Sequence, residues 1–244
     1  MFTTGGHDAD YVWLAARTDP DAPKHKGITI FIVDTKLPGF KVTPIHTIDR
    51  GRTNATYYED LRVPASAVVG GENNGWKLIT SQLNHERVAL APPGRVEGLY
   101  EEVVAYTKEA TGPSGRKLID EPWVRLSLAR VKAKVNALRL LNWRLAWEMS
   151  SEELNAADAS AVKVYGTEMF IEAYRLLLDV VGQAGALREG SPGAVLEGKL
   201  ERVYQSALVL TFGGGVNEVQ REIIATVGLG LPRVPREVAK AGSR

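Results

Sequence analysis

Two segments of the sequence combine residue types that could carry chemistry. In the first, steps of three, four, three and four residues join Trp76, Ile79, Leu83, Glu86 and Leu90. A helix places these positions on one face, so the spacing puts a carboxylate where an apolar core residue is expected. Partial burial raises the pKa of a carboxylate toward neutral pH, which suits a general base. The residues alone leave a second interpretation open, an ion pair between Glu86 and a lysine or arginine of another helix.

The second segment is a glycine turn, TFGGGVNEVQR, at residues 211–221. Its tip holds three glycines and no acid. Glycine turns that open a helix can bind phosphate or let a ligand approach the backbone closely. No Gly-Lys-Ser/Thr follows and no Rossmann strand-turn-helix unit surrounds the turn, which argues against a phosphate-binding NTPase. A flexible turn and a ligand-contacting turn both stay open on this pattern.

The composition argues against several other classes of site. The 244 residues include no cysteine, which rules out disulfides, thiolate metal sites and cysteine nucleophiles. The four histidines are scattered without a second ligand at metal spacing, so no metal site is predicted. Thirty basic and 29 acidic residues give a formal net charge of +1, so no nucleic-acid partner is predicted.

Neither a membrane span nor a targeting segment is predicted. No apolar run approaches the roughly 18 residues that a transmembrane helix needs. The amino terminus, MFTTGGHDADY, has neither the pattern of a signal peptide nor that of a transit peptide. We therefore expect a cytoplasmic location.

The elements that must position the two segments fall into two predicted domains. Residues 1–70 contain short β-rich runs separated by turn residues, which predict part of an antiparallel β-barrel domain. In residues 71–244 the apolar period lengthens to between three and four, which predicts an up-down four-helix-type bundle. The predicted fold class is α+β.

Four apolar stripes predict helices beyond the one that carries Glu86. They occur within residues 120–149, 162–180, 196–210 and 216–227. Each repeats near the helical period, which is typical of a helix with one face in a bundle core.

Four segments together resemble the acyl-CoA dehydrogenase family. The opening, FTTGGHDADYVWLAARTDPDAPKHKGITIFIV, is similar to the part of the family's middle β domain that begins with the strand against the flavin. The first helix of the family's carboxy-terminal bundle resembles GWKLITSQLNHERVAL, and its dinucleotide-contacting turn resembles VVGQAGAL. The closing segment of the family is similar to FGGGVNEVQREIIATVGLGLPR. The resemblance covers residues 2–233.

This resemblance implies an FAD-dependent acyl-CoA dehydrogenase, an oxidoreductase acting on CH-CH bonds. In the family a glutamate removes the α-proton of an acyl-CoA thioester while the β-hydrogen leaves as hydride to the flavin, giving a trans-2-enoyl-CoA. The implied pathway is the breakdown of lipids or steroid side chains. The implied partners are related subunits in a homo- or hetero-tetramer and an electron acceptor such as an electron-transfer flavoprotein.

The resemblance also assigns a base and its neighbours. Many members carry the catalytic glutamate at the position of Gly214, whereas a minority carry it on the first bundle helix directly before an arginine, as Glu86 precedes Arg87 here. Glu86 is therefore expected to be the base, and the Gly214 amide is expected to donate to the thioester carbonyl. Asn84 and Arg87 match positions that line the substrate entrance.

Contacts with FAD are expected from three segments of the chain. The opening strand matches the segment that meets the flavin ring, and the two later segments match those that meet the adenosine half. The residues expected to bind the cofactor are Thr3, Thr4, Gly182, Gln183, Gly185, Asn217 and Glu218.

Two departures from the family pattern stand out. Relatives have an Arg-x-x-Phe-Gly segment that binds the FAD pyrophosphate, where this chain reads ATGPSGRKL with Arg116 out of register. Relatives also have a helical domain and half of the β domain before the point at which this chain begins. From this we expect either a truncated chain or completion by another polypeptide. The alternative function is a non-catalytic or truncated subunit that acts as a scaffold in a heteromeric acyl-CoA dehydrogenase.

Overall fold

Strands and helices occupy separate stretches of the chain, which confirms the predicted α+β class. The computed structural model describes residues 1–151 and 155–233, without the side chains of residues 84, 85, 87, 88 and 151. The chain divides into two compact units, each made of two stretches. Unit 1 contains Met1–Glu86 and Gln183–Leu208, and unit 2 contains Arg87–Gly182 and the chain from Val209 onward. The boundary at residue 70 stays a prediction.

Unit 1 contains two antiparallel sheets built from the short β-rich runs. Strand β1 (Tyr11–Arg17) pairs with β2 (Ile28–Asp34), β3 (Phe40–His46) pairs with β4 (Arg52–Tyr58), and β5 (Val68–Val69) pairs with the other edge of β2. Strand β2 lies between two partners and is rich in β-branched residues, which pack well on a pleated surface. Among the described residues the two sheets are not closed into a barrel, in agreement with the partial barrel predicted.

Helix α1 (Gly75–Ala89) begins in unit 1 close to the sheet of β2. A Cβ added to Gly75 would lie 2.8 Å from the carbonyl oxygen of Ile28 in β2. Only a residue without a side chain allows this approach of the helix start to the strand. The glycine therefore sets where the helix that carries Glu86 leaves the sheet.

Unit 2 is the helical bundle that the sequence predicts. Helices α2 (Gly94–Glu109) and α3 (Pro122–Ser151) both pack against α4 (Ala156–Val181). The amide of Ala157 donates to the Asn155 side chain at 2.8 Å and so caps the start of α4. The bundle core consists of apolar side chains from all three helices; fully buried examples are Val96, Val103, Leu138, Phe170 and Leu177. None of the described helices has both the length and the apolar character needed to cross a bilayer.

The two last predicted helices are shorter than their apolar stripes. Helix α5 (Lys199–Ala207) starts late because Leu196 and Glu197 adopt φ of 51° and 54°, which an α-helix does not accommodate. Helix α6 (Asn217–Ile223) packs on α4 and continues into a π-helical turn at residues 224–228. The stripes correctly predicted that both helices exist, but the backbone conformation at the helix ends makes the observed α-helices shorter than the stripes.

Candidate active site

Glu86 lies on the wall of an open cavity of about 770 Å³. The other lining residues are Trp13 of β1 and Leu78, Ser81 and Gln82 of α1. Trp13 and Leu78 provide an apolar wall, whereas the serine and the glutamine provide hydrogen-bonding groups. Ligand cavities in proteins have volumes of roughly 300–1,000 Å³ and this mixture of an apolar wall with a few polar groups.

The Glu86 side chain is exposed, so the predicted partial burial is wrong. The reason is that the stripe on α1 does not face a core: Trp76 is 49% exposed, and Ile79 and Leu83 are only half-buried. No described side chain forms an ion pair with Glu86. Of the stripe residues only Glu86 lines the cavity, whose other α1 residues, Leu78, Ser81 and Gln82, lie on an adjacent face of the helix.

Gly214 occupies a conformation that glycine adopts most readily, with φ of 66°. A Cβ at this position would overlap Cδ1 of Leu90, the residue that follows α1. The turn is closed on its amino-terminal side by the carbonyl oxygen of Val209, which accepts from the amides of Phe212 and Gly213 at 3.0 Å each. Within the described residues the N-H of Gly214 has no acceptor, so it is available to an oxygen of a ligand.

A buried polar cluster lies between α4 and α6, and we call it the α4–α6 cluster. It consists of Ser160, Lys163, Thr167, Asn217 and Gln220. Steps of three and four residues place the first three on one face of α4, and all three are fully buried. No sequence pattern considered above predicts this cluster, although the serine, lysine and threonine show the same helical spacing that singled out Glu86.

Lys163 connects the α4–α6 cluster to the glycine turn. Its Nζ donates to the carbonyl oxygens of Thr211 at 3.3 Å and Gly215 at 2.7 Å, and to Oδ1 of Asn217 at 2.6 Å. A lysine ammonium has three N-H donors, and these three oxygens match them in number. The ammonium therefore donates hydrogen bonds to residues that precede and follow Gly214 in the chain.

The side chain of Asn217 is buried and bonded within the chain. Its Nδ2 donates to Oγ1 of Thr167 at 3.2 Å and to Oε1 of Glu168 at 3.0 Å. Glu168 also accepts two hydrogen bonds from Nη2 of Arg221, at 2.6 and 2.8 Å. Glu218, the other predicted cofactor residue of α6, is exposed. The cofactor contacts of both residues stay predictions, and Asn217 has a structural role in addition.

Thr3 and Thr4 lie beside strand β4. The amide of Thr3 donates to the carbonyl oxygen of Asn54 at 2.8 Å, and its hydroxyl lies 3.2 Å from that of Thr56. The hydroxyl of Thr4, which is exposed, donates to that of Thr53 at 3.3 Å. These bonds fix the opening segment against the sheet, and its flavin contacts stay a prediction.

The turn after α4 contains the three other predicted cofactor residues. Gly182 ends the helix with φ of 76°, and its amide donates to the carbonyl oxygen of Leu178 at 2.7 Å. A Cβ added there would meet nothing within 4 Å, so the described residues leave space beside this backbone. Gln183 is exposed and Gly185 is buried. Their role stays a prediction.

The side chains of Asn84 and Arg87, predicted to line the substrate entrance, lie outside the described residues. Arg116, which stands out of register with the pyrophosphate-binding arginine of relatives, is described and pairs with Glu121 at 2.9 Å. A hydrogen bond from Ser114, together with the charge of Arg116, lowers the pKa of the Glu121 carboxyl. Arg116 is thus engaged in a local ion pair.

Comparison with protein families gives a match between residues 73–229 and the family model described as acyl-CoA dehydrogenase, C-terminal domain. Acyl-CoA dehydrogenase FadE26 of Mycobacterium tuberculosis is 52% identical over 242 residues, which are 97% of this chain and 60% of that protein. The chain therefore spans about 60% of the length of this relative and of acyl-CoA dehydrogenase FadE29 of the same organism.

Two solved structures extend the comparison to the fold. A chain of the ChsE4-ChsE5 complex from Mycobacterium tuberculosis has a TM-score of 0.88 and 53% identity, over 96% of this chain and 60% of that one. A structure described as the Tcur3481-Tcur3483 steroid ACAD has a TM-score of 0.90 and 51% identity, over the same shares.

Proposed function

The chain belongs to the acyl-CoA dehydrogenase family, and from this premise we propose that it contributes to an FAD-dependent dehydrogenase acting on a CoA thioester of a steroid or other lipid side chain. The product is the trans-2-enoyl-CoA. Similarity to a structure described as a steroid acyl-CoA dehydrogenase supports the substrate class. The observation that carries the proposal is the position of Glu86 on the wall of the cavity.

Glu86 removes the α-proton of the thioester in this proposal. Its carboxylate is exposed to the cavity and forms no ion pair with a described side chain, so it is free to accept a proton. A general base must first come within hydrogen-bond reach of the proton it abstracts. The apolar surfaces of Trp13 and Leu78 suit the acyl chain, whose burial orients the thioester relative to the carboxylate.

Gly214 stabilises the enolate that forms as the proton leaves. Its N-H has no acceptor among the described residues and can donate to the thioester carbonyl oxygen. Such a fixed donor binds the transition state more strongly than the ground state, because negative charge develops on that oxygen. Asn84 and Arg87 are proposed to line the entrance for the CoA part.

Bound FAD would supply the hydride acceptor for the β-hydrogen. The hydroxyl and backbone groups of Thr3 and Thr4 are proposed to hold the polar edge of the ring, since they supply hydrogen-bonding groups of the required type. The open backbone at Gly182 fits the approach of the adenosine half, with the exposed side chains of Gln183 and Glu218 as further contacts. Gly185 and Asn217 support these two segments, and an electron-transfer flavoprotein is the proposed acceptor.

Substitution of Glu86 tests the proposal. The purified protein is expected to be yellow, and acyl-CoA is expected to bleach its flavin absorbance. Glu86→Gln should keep the flavin and lose the bleaching, because the amide cannot accept the proton. The matched control is Glu72→Gln, an exposed glutamate outside the cavity lining. Bleaching at the wild-type rate in Glu86→Gln would remove this residue from the mechanism.

A second candidate function is a non-catalytic subunit that acts as a scaffold in a heteromeric enzyme. The observation that favours it is an exposed stripe along α3, which we call the outer stripe: Leu126, Ala129, Ala133, Asn136, Leu140, Trp143 and Trp147. Its four large apolar side chains are 71, 62, 63 and 68% exposed, which is typical of a surface that a partner covers. The related structure from Mycobacterium tuberculosis is itself a complex, of ChsE4 with ChsE5. A well-folded, colourless protein would support this candidate.

A further inference from the structure

Lys163 is a fully buried lysine whose ammonium donates to one short segment of another part of the chain. Its acceptors are two backbone carbonyl oxygens, of Thr211 and Gly215, and the side chain of Asn217. Burial of an ammonium is strongly unfavourable unless its donors are matched by acceptors. An apolar side chain at this position of α4 would avoid that cost, which indicates that the contacts of the ammonium have a role of their own.

These contacts hold a segment that has little stiffness of its own. Residues 213–215 are all glycine, and Gly214 and Gly215 have φ of 66° and 98°. Glycine backbone has more accessible conformations than that of any other residue, so such a turn is not fixed by its local sequence. The carbonyl groups of Thr211 and Gly215 lie on either side of Gly214 along the chain, and Lys163 binds both.

The rest of the α4–α6 cluster keeps Lys163 and its acceptors in place. Asn217 receives the ammonium on Oδ1 and uses Nδ2 to bind Thr167, one turn further along the same face of α4. Thr167 in turn donates to the carbonyl oxygen of Lys163 at 2.9 Å. The ammonium is therefore part of a connected network that restricts both the helix and the turn.

We propose that Lys163 is a positioning residue, which fixes the direction of the Gly214 N-H by binding the carbonyl oxygens on both sides of it. This inference rests on the proposed function, in which that N-H donates to the thioester carbonyl. A hydrogen-bond donor stabilises a developing oxyanion fully only if its direction is set before the reaction, because reorienting the donor during the reaction costs free energy that offsets the stabilisation. Lys163 sets this direction without contact with substrate or cofactor.

Lys163→Met in the full-length protein, in the assembly in which it purifies, tests the inference. Methionine has a similar length and no N-H donor, so it removes the three bonds and keeps most of the packing. The matched control is Leu177→Ala, a fully buried residue of α4 outside the cluster, which destabilises the helix by leaving a cavity. If Lys163→Met does not fold, Lys163→Gln serves, because its amide keeps two N-H donors without the charge.

Two measurements distinguish a positioning role of Lys163 from a role in stability alone. The first is the single-turnover rate of flavin reduction by octanoyl-CoA and by a CoA thioester of a steroid side-chain acid. Complete loss of an oxyanion donor lowers kcat by about 10²–10³. In Lys163→Met the Gly214 N-H stays but its direction is no longer fixed, so the rate should fall by at least about tenfold, with thioester affinity nearly unchanged. The second is the carbonyl stretching frequency of bound trans-2-octenoyl-CoA labelled with carbon-13 at the thioester carbon, which should rise as the hydrogen bond weakens.

The inference is supported if Lys163→Met changes rate and frequency and Leu177→Ala changes neither despite a lower melting temperature. It is overturned if Lys163→Met leaves both at the wild-type values, or if Leu177→Ala changes both equally. Failure of the proposed function looks different: the wild-type protein would not reduce its flavin, or Glu86→Gln would retain the rate. In that case amide hydrogen exchange at residues 211–217 decides whether Lys163 holds the turn, and unchanged exchange in Lys163→Met overturns the inference.

Discussion

A side chain on Gly214 would overlap the Cδ1 methyl group of Leu90, so the glycine turn packs directly on the residue that follows α1. Leu90 comes four residues after Glu86 in the sequence. The two segments that the sequence singled out are therefore linked through a contact of glycine backbone with leucine. This contact and the positive φ of Gly214 together exclude any side chain at this position without a local rearrangement.

We expect Gly214→Ala to be more destabilising than Gly230→Ala. Both glycines have φ of 66°, and this conformation costs an alanine about 1–2 kcal/mol. A Cβ at Gly230 meets nothing within 4 Å, whereas a Cβ at Gly214 meets Leu90, so the excess loss in Gly214→Ala measures the contact. Urea unfolding gives both free energies, and the excess should shrink in a Leu90→Ala background. Equal losses in the two single variants would contradict the packing described.

Trp13→Ala is expected to weaken binding of a bulky thioester. The indole forms part of the apolar wall of the cavity, and its removal exposes the acyl chain to water, which raises KM more than it lowers kcat. The measurement is steady-state kinetics with octanoyl-CoA and with a steroid side-chain thioester. Tyr11→Ala is the control, because Tyr11 is an exposed aromatic residue on the same face of β1 and does not line the cavity. The same rise of KM in both variants would argue against a specific role of Trp13.

Two buried polar residues of α6 should respond differently to apolar replacement. Asn217→Leu removes an acceptor from the Lys163 ammonium, and loss of a hydrogen bond to a charged group costs about 1.5–3 kcal/mol. Gln220→Met should cost less, about 0.5–1.5 kcal/mol, because it removes one neutral hydrogen bond, from the Ser160 hydroxyl at 2.8 Å, and Nε2 of Gln220 has no partner in the described part of the chain. Thermal or urea unfolding of the two variants checks this order, and a larger loss in Gln220→Met would reverse it.

Tyr174 should make stability fall at high pH. Burial raises the pKa of its phenol to about 12, and its hydroxyl donates to the carbonyl oxygen of Arg95 at 2.6 Å. The unfolded chain loses this proton near pH 10, so between about pH 10 and 12 the folded state binds more protons and the free energy of unfolding decreases as pH rises. The loss should reach at most about 2–3 kcal/mol. Tyr174→Phe should lose this part of the pH dependence, and an identical pH profile in the variant would contradict the assignment.

The outer stripe of α3 is expected to control assembly. The double variant Trp143→Ser/Trp147→Ser removes the two largest apolar side chains from the stripe and should lower the mass of the assembly in light scattering. Trp123→Ser is the control, since Trp123 is an exposed tryptophan of α3 that lies off the stripe. Circular dichroism should show an intact helical fold in all variants. An unchanged mass in the double variant would assign assembly to another surface.

Much of the fold follows from local patterns, and the exceptions have physical reasons. Helix α3 matches the stripe predicted within residues 120–149 closely, because this apolar pattern is long and has a clear helical period. Period identifies a face of a helix but not what lies opposite it, which is why Glu86 borders a cavity and not a core. The contacts of Lys163 join residues 48 to 54 positions apart, and no local spacing encodes such pairs.

The outer stripe of α3 also sets the geometry of whatever covers it. Leu126, Ala133, Leu140 and Trp147 recur at intervals of seven residues. Two turns of a straight α-helix take slightly more than seven residues, so a stripe with this interval drifts around the helix by about 20° per repeat. A straight neighbouring helix parallel to α3 would therefore lose contact with the stripe before reaching Trp147. A helix that follows it from Leu126 to Trp147 must instead cross α3 at about 20° and wind around it in a left-handed supercoil.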